Sequence, residues 1–287
     1  GAVTDSGALT ISGAATINST SGDLTLDESG NTFGSVALTG TEDIVVVSSG
    51  SLTGTVSGST LQVQAATGAT LETEVTKMAA TSASGNVSVT NTGGLTIASF
   101  EDGLQLSGVS ITAGSAADDI DLIAKSPITV DAPITNSSGS VNLAATGTEA
   151  TDNIVVNSTI SSGTDTSSAV NLFAGGSITV ASAATISSAT ESSLQFSTNY
   201  DAVTETTSLG YSGGTISISS SSTISGGLEV SGYGSVGLDI DSNARIRTTT
   251  LDQVADYFNA LEPVLEVEDQ WDARDAGVLQ ASVGLGE

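Results

Sequence analysis

Aliphatic residues recur along this chain in pairs separated by one residue, and the residue between them is mostly polar. Successive side chains of a strand point to opposite faces, so the alternation predicts short β-strands with one buried and one wet face. Representative pairs are Leu9/Ile11, Leu24/Leu26, Ile44/Val46, Leu61/Val63, Val87/Val89, Ile128/Val130, Val141/Leu143, Ile178/Val180, Ile216/Ile218 and Val236/Leu238.

The strands follow one another at a short and nearly constant step. Val170, Ile178, Ile186 and Leu194 are eight residues apart, and glycine often stands one or two positions before a pair. Glycine tolerates the backbone angles of a sharp turn. A β-sandwich is disfavoured, because its strands are longer and its hairpins carry Asn-Gly or Asp-Gly, of which only Asp102-Gly103 occurs.

A parallel β-helix accounts for these features. We expect three short strands in each coil of about 24 to 30 residues, with coils stacked about 4.8 Å apart. Val-Asn-Leu recurs at Val141 and Val170, a distance of one such coil. The prediction is an all-β, single-stranded, parallel β-helix over residues 1–248, with about nine or ten coils and a length of about 45 Å.

Residues 249–287 differ in composition and are predicted to form a separate C-terminal cap or assembly tail. The last 37 residues hold one of the 86 Ser and Thr residues, and nine acidic residues. Helical spacing after a Thr250 N-cap predicts a short helix that ends before Pro263. The candidate assembly-interface residues of this tail are Leu251, Val254, Tyr257, Phe258, Leu261 and Trp271.

Composition excludes several functions. Cys and His are absent, which removes thiol chemistry, His-based general base catalysis, and zinc or haem sites built on those residues. A formal charge of -27 opposes nucleic-acid binding and docking on anionic membranes. The longest aliphatic run, at 44–47, is far too short for a spanning helix, so no membrane insertion is expected.

The chain begins at Gly1, without Met or a visible signal peptide. We interpret it as a mature product or an excised piece of a longer protein. The lack of cysteine is compatible with a secreted protein that has no disulfides.

Acidic residues flank inward-facing isoleucines at two places. Asp118, Asp119 and Asp121 surround Ile120, and Asp239 and Asp241 flank Ile240. Paired outward carboxylates on stacked coils are candidate ligands for Ca²⁺, which takes six to eight oxygens. The alternative interpretation is solvated charge that keeps a β-rich surface soluble. No other cofactor is expected.

The runs Gly139-Ser-Val-Asn-Leu, Gly176-Ser-Ile-Thr-Val and Asp119-Ile-Asp-Leu-Ile, with Ser, Thr and Ala between them, resemble repeats of filamentous-haemagglutinin-type adhesins. The resemblance covers about residues 1–248. Those proteins are bacterial surface exoproteins, so the resemblance implies a right-handed parallel β-helix and an extracellular structural or adhesive role.

Three functions follow as hypotheses. The first is an extracellular structural rod that assembles head to tail or belongs to a longer fibre, because a solenoid ends in open strand edges. The second is an adhesin segment that binds glycans of host or neighbouring cells along its lateral face. The third, which we disfavour, is a polysaccharide-degrading enzyme using Asp118, Asp119 and Asp121 as acid and base. The preferred expectation is a protein without catalysis.

Overall fold

The computed structural model describes residues 1–147, 149–164, 169–189, 193–198, 214–219 and 221–225. Beyond these it describes the backbone of five strands between Gly227 and Ser282. The described residues form an all-β structure of regularly stacked parallel strands, which confirms the predicted parallel β-helix.

The strands, numbered β1 to β29 in chain order, stack into three columns that we call ladders A, B and C. Ladder A is β2 (Thr10–Asn18), β4 (Thr32–Thr39), β6 (Leu52–Ser57), β8 (Ala69–Glu74), β10 (Val87–Asn91), β13 (Ile120–Ala124), β16 (Val141–Ala145), β19 (Val170–Ala174), β22 (Ser193–Thr198) and β25 (Gly227–Gly232). Ladder B is β1 (Val3–Thr4), β3 (Leu24–Leu26), β5 (Asp43–Ser48), β7 (Thr60–Ala65), β9 (Lys77–Ser82), β11 (Leu95–Ile97), β14 (Ile128–Val130), β17 (Ile154–Val156), β20 (Ile178–Val180), β23 (Thr215–Ile218) and β26 (Gly237–Ile240). Ladder C is β12 (Val109–Ile111), β15 (Ile134–Asn136), β18 (Thr159–Ser162), β21 (Thr185–Ser188), β24 (Thr223–Ser225) and β27 (Arg245–Arg247).

The aliphatic pairs lie inside the rod, in register from coil to coil. In ladder A, Leu122 pairs with Leu143 and Leu143 with Leu172, and each is fully buried. Burial of one such side chain contributes about 1.5–3 kcal/mol. Ladder A has ten strands in the described part, one per coil, which agrees with the predicted nine or ten coils.

The expectation of three strands in every coil is wrong for the first half of the rod. Up to β9 each coil has two strands, and Ile44, Leu61 and Met78 pair at steps of 17 residues. From β11 onward each coil has three strands, and Ile154 pairs with Ile178 at a step of 24 residues. A coil with two strands has one corner fewer and therefore needs fewer residues.

The two kinds of coil meet at β9. The first part of β9 pairs with β11 through Lys77 and Met78, and its last part pairs with β12 through Ala80 to Ser82. One six-residue strand is therefore continued by two shorter strands, and ladders B and C separate at this point.

Buried polar side chains close the corners of the coils. Asn91 is fully buried at the end of β10, where it accepts hydrogen bonds from the Thr73 hydroxyl (2.8 Å) and the Val75 amide (3.0 Å). Asn136, at the end of β15, accepts a hydrogen bond from Gly139 N and donates to Ser140 O. These side chains satisfy corner backbone groups that the ladders leave without partners.

The segment 98–108, which connects β11 to β12, lies on the outer face of ladder B and is called the clasp. It is closed by a hydrogen bond from Phe100 N to Leu106 O (2.9 Å). Gln62 of β7 donates to Asp102 O (3.1 Å) and accepts from Leu106 N (3.4 Å). The outward-facing Gln62 and Ala79 are consequently buried, at 1% and 0% exposure.

We predict that Gln62→Ala lowers the free energy of unfolding by about 1–3 kcal/mol. The Leu106 amide loses its acceptor, and the Asp102 carbonyl keeps only the hydrogen bond from Gln105 N. Gln64→Ala, on the same strand but exposed, is the matched control and should change stability by less than about 0.5 kcal/mol. Urea denaturation of both variants provides the measurement. Equal stability of the two variants would show that Gln62 does not hold the clasp.

The described part of the tail is β-structure. Strands β28 (Val264–Val267) and β29 (Val278–Ser282) pair antiparallel, and β29 pairs antiparallel with β27 of ladder C. Outside the described residues lie the predicted helix and the candidate assembly interface of Leu251, Val254, Tyr257, Phe258, Leu261 and Trp271. None of the described residues belongs to a helix long and apolar enough to cross a membrane.

Candidate functional site

The three aspartates around Ile120 have separate hydrogen-bond partners. Asp118 accepts from Ser115 N (2.7 Å) within its own turn. Asp119 accepts from Ser140 N (2.8 Å) and Asp121 from the Asn142 amide (2.7 Å), both on the next coil. These contacts connect the start of β13 to its own turn and to β16.

The structure does not bring these carboxylates together as a metal centre. Among the described residues no group of three or more acidic side chains is arranged to hold a metal ion. Asp239 is described only by its backbone position on β26, and Asp241 lies outside the described residues. Calcium binding at these positions therefore stays a prediction from the sequence.

The pKa values of Asp121 and Asp118 are shifted in opposite directions. Desolvation raises the pKa of Asp121 above 3.8, aided by the nearby Asp119 and opposed by the hydrogen bond from Asn142. The hydrogen bond from the Ser115 backbone, followed by one from Gly85, lowers the pKa of Asp118 below 3.8. The two carboxyls therefore change the pH dependence of stability in opposite directions.

Asp121→Asn should raise the melting temperature at pH 7, because it removes a carboxylate that folding desolvates. A raised folded-state pKa gives stability that is complete below the unfolded pKa of 3.8 and is lost as pH rises through the folded-state value. The advantage of the variant should therefore disappear below about pH 3.8. Thermal melts followed by circular dichroism from pH 3 to pH 7 measure the difference.

Asp118→Asn is the control of opposite sign. Its lowered pKa gives stability that is present above 3.8 and is lost as pH falls through the folded-state value. This variant should therefore melt below the wild type at pH 7. A stabilising Asp118→Asn, or a destabilising Asp121→Asn, would contradict the assigned environments.

A row of amides continues from Asp121 along ladder A. Asn142 accepts from the Asn171 amide nitrogen (2.6 Å), and Asn171 pairs in register with Gln195. Asn171 is 7% exposed, and its Oδ1 atom has no hydrogen-bond partner. The row follows the in-register pairing of β13, β16, β19 and β22, so it is a structural feature of the sheet.

The outer face of ladder C carries hydroxyl groups in two columns. Ser110, Thr135, Ser161, Ser187 and Ser225 form the first column through successive in-register pairs. The second column is Thr159, Thr185 and Thr223. All of these side chains are at least partly exposed. We call this surface the hydroxyl face.

A shallow groove adjoins the hydroxyl face on the two-strand part of the rod. It has a volume of about 380 Å³, and its lining includes Val47, Gln64, Ala66 and Thr81. The Thr81 hydroxyl lies 3.0 Å from the Ser110 hydroxyl, which is the first of the main column. The groove and the hydroxyl face therefore form one continuous uncharged surface.

The first coil presents an open edge. Among the described strands, β1 pairs only with β3 and β2 only with β4. Its apolar residues Val3, Leu9, Ile11 and Ile17 are only partly buried, whereas Leu24, Phe33 and Leu38 at the corresponding positions of the next coil are buried. A bulge between Ile11 and Ala14 interrupts β2, which leaves Ala14–Asn18 as the regular part of the edge.

At the other end, ladder C differs from ladders A and B. Strand β29 covers β27, the last strand of ladder C. Among the described strands, β25 and β26 pair only with the coil before them. Within the described part of the chain, one strand of ladder A and one of ladder B therefore have no further strand paired to them at this end.

Sequence reasoning missed the buried Asn91, Asn136 and Gln62. Both asparagines stand two or three residues before a glycine, in Asn91-Thr-Gly-Gly and Asn136-Ser-Ser-Gly, which is a signal for a corner. Gln62 carries no such signal, because the segment that covers it lies 40 residues further along the chain.

Comparison with known proteins adds one local similarity. A family described as repeats of unknown function (DUF5649) matches residues 1–40, which hold the first two coils. No curated protein matches the chain. No solved structure matches it either. Together with the stacked parallel strands, the match is consistent with a repeat protein, and it assigns no activity.

Proposed function

We propose that this chain is an extracellular structural protein, a β-helical rod that extends at its first coil. Extension occurs head to tail between copies or within a longer fibre. The observation that carries the proposal is the open edge of β1 and β2, where partly buried apolar residues border unpaired strand edges. Such edges accept a further parallel strand through backbone hydrogen bonds.

The two ends of the rod match in number and type of strand. The first coil offers one strand of ladder A and one of ladder B, and in the last coil one of each has no further partner among the described strands. The antiparallel strand β29 occupies the third position. A second copy can therefore stack its first coil on β25 and β26, and this heterologous contact repeats without closing.

Features of the sequence support the proposed extracellular location. The runs that resemble filamentous-haemagglutinin-type repeats lie on ladders A and B of the rod. A Ser- and Thr-rich, strongly acidic chain without cysteine suits a secreted surface protein. The function we propose is one of shape rather than catalysis.

Negative-stain electron microscopy at physiological salt tests the assembly. The wild type should form fibres, and Ile17→Lys should shorten or abolish them by placing a charge on the open edge. Thr16→Lys, one residue away on the outer face, is the matched control and should leave the fibres intact. Separate rods of about 45 Å at high wild-type concentration would contradict end-to-end assembly.

A second candidate function is that of an adhesin segment that binds glycans along its side. The specific observation in its favour is the hydroxyl face, which spans several coils of an otherwise strongly acidic chain without a charged residue on β12, β15, β18, β21 or β24.

A further inference from the structure

We infer that the hydroxyl face is a docking surface for an uncharged polysaccharide that runs along the rod axis. This inference rests on the second candidate function and assigns it a location and a class of ligand. It does not depend on end-to-end assembly.

The arrangement of the hydroxyls suits an extended polymer. Rungs of the ladder repeat at about 4.8 Å, and the two columns are two residues, or about 6.6 Å, apart. Each hydroxyl can both donate and accept a hydrogen bond. The Ser161 hydroxyl donates to that of Thr135 (3.4 Å), so neighbouring groups in the column are close enough to act together.

The negative charge of the chain favours an uncharged ligand. The whole chain carries a formal charge of -27, so an anionic glycan or a second copy approaching from the side is repelled. The outward positions from Ser110 to Ser225 on ladder C are Ser or Thr throughout. The next strand, β27, places Arg245 and Arg247 in register with Thr223 and Ser225, so the uncharged part of ladder C ends there. An uncharged partner meets neither repulsion nor the cost of burying an unpaired charge.

The surface offers little to a protein partner. The outward positions of ladder C in the described coils hold no aliphatic or aromatic side chain. Protein interfaces depend on buried aromatic and aliphatic anchors. The hydroxyl groups of a polysaccharide, in contrast, can take the place of water molecules on this face and form equivalent hydrogen bonds with its Ser and Thr side chains. The groove beside Thr81 extends the surface toward the first coils.

Affinity electrophoresis against soluble polysaccharides tests the inference with the full chain. Dextran, mannan and a soluble β-glucan are the neutral probes, and alginate and heparin are the anionic ones. We expect retardation by at least one neutral polymer and by neither anionic polymer. The triple variant Thr159→Val, Thr185→Val and Thr223→Val should weaken binding at least about tenfold, because three hydroxyls are lost at constant shape.

The matched control is Thr96→Val, Thr129→Val and Thr179→Val, which removes three outward hydroxyls from ladder B. This variant should change binding by less than about twofold. Circular dichroism establishes that both variants remain folded. If one unfolds, the outward charge variant Ser161→Asp replaces it and should abolish binding of the neutral polymer.

The outcomes separate the inference from the function on which it rests. Binding of neutral glycans that survives the ladder C changes, or a preference for anionic glycans, would overturn the inference and leave an adhesin function in place. Failure to bind any glycan would overturn both. Inhibition of ice growth without glycan binding would assign the face to ordered water and would also overturn the inference.

Discussion

Replacing Asn91 by alanine is expected to lower the free energy of unfolding by about 3 kcal/mol or more. Asn91 is fully buried and lies within hydrogen-bond distance of five groups. Alanine removes both its carbonyl and its amide, so the amide and the carbonyl of the buried Val75 lose a partner where water has little access. An unsatisfied buried group costs about 1–3 kcal/mol each, and several are created at once.

The neighbouring Thr90→Ala is the control, because Thr90 is exposed on the outer face of the same strand. It should change stability by less than about 0.5 kcal/mol. Chemical denaturation followed by circular dichroism measures both variants. If Asn91→Ala were as stable as Thr90→Ala, Asn91 would not close the corner between β10 and β11.

The second large effect is expected for Gly108→Ala, at the entry to β12. Gly108 has a φ of +72°, and a Cβ there would overlap the carbonyl oxygen of Pro133 on the next coil. That oxygen accepts the hydrogen bond from Val109 N (2.9 Å), so it cannot move away without breaking the contact between coils. Backbone strain and overlap cost about 1–3 kcal/mol each, so we expect a loss of about 3 kcal/mol or more.

Gly93→Ala is the matched control. A Cβ at Gly93 has no atom within 4 Å, and its φ is outside the left-handed region. The substitution should be neutral or stabilise by a few tenths of a kcal/mol, up to about 1, by restricting the unfolded chain. Thermal melts of the two alanine variants should therefore differ by several degrees or more. Equal melting temperatures would contradict the close approach of coils at Gly108.

The sequence predicts the strands and their stacking because both depend on local alternation. The pair Val141/Leu143 lies inward on β16, and the recurrence at Val170 marks the next coil in register, as expected. The number of strands per coil could not be predicted in this way. An eight-residue step between strands is the same whether a coil closes after two strands or after three, and closure depends on pairings such as Leu61 with Met78.

The candidate surfaces, too, could be predicted only in part from the sequence. The outward Ser and Thr positions of ladder C follow from alternation, but their alignment into columns needs the register between coils. Asp118, Asp119 and Asp121 are adjacent in sequence, yet their partners, such as Ser140 and Asn142, lie on another coil. Adjacent positions therefore suggested a common ligand, while the fold gives each carboxylate a separate partner.

Cysteine cross-linking gives the most direct test of the central claim, that the chain winds into stacked parallel coils. The chain has no cysteine, so engineered pairs have no competing thiol. Thr135 and Ser161 pair in register on adjacent coils, about 4.8 Å apart, which is within reach of a disulfide. Ser187 lies one coil further, about 9.6 Å from Thr135, which is out of reach.

Under native oxidising conditions, the pair Thr135→Cys and Ser161→Cys should form a disulfide, detected by mass spectrometry and non-reducing electrophoresis. The pair Thr135→Cys and Ser187→Cys should remain reduced, and in urea the difference between the two pairs should disappear. A native disulfide between positions 135 and 187, or none between 135 and 161, would contradict the stacked-coil fold.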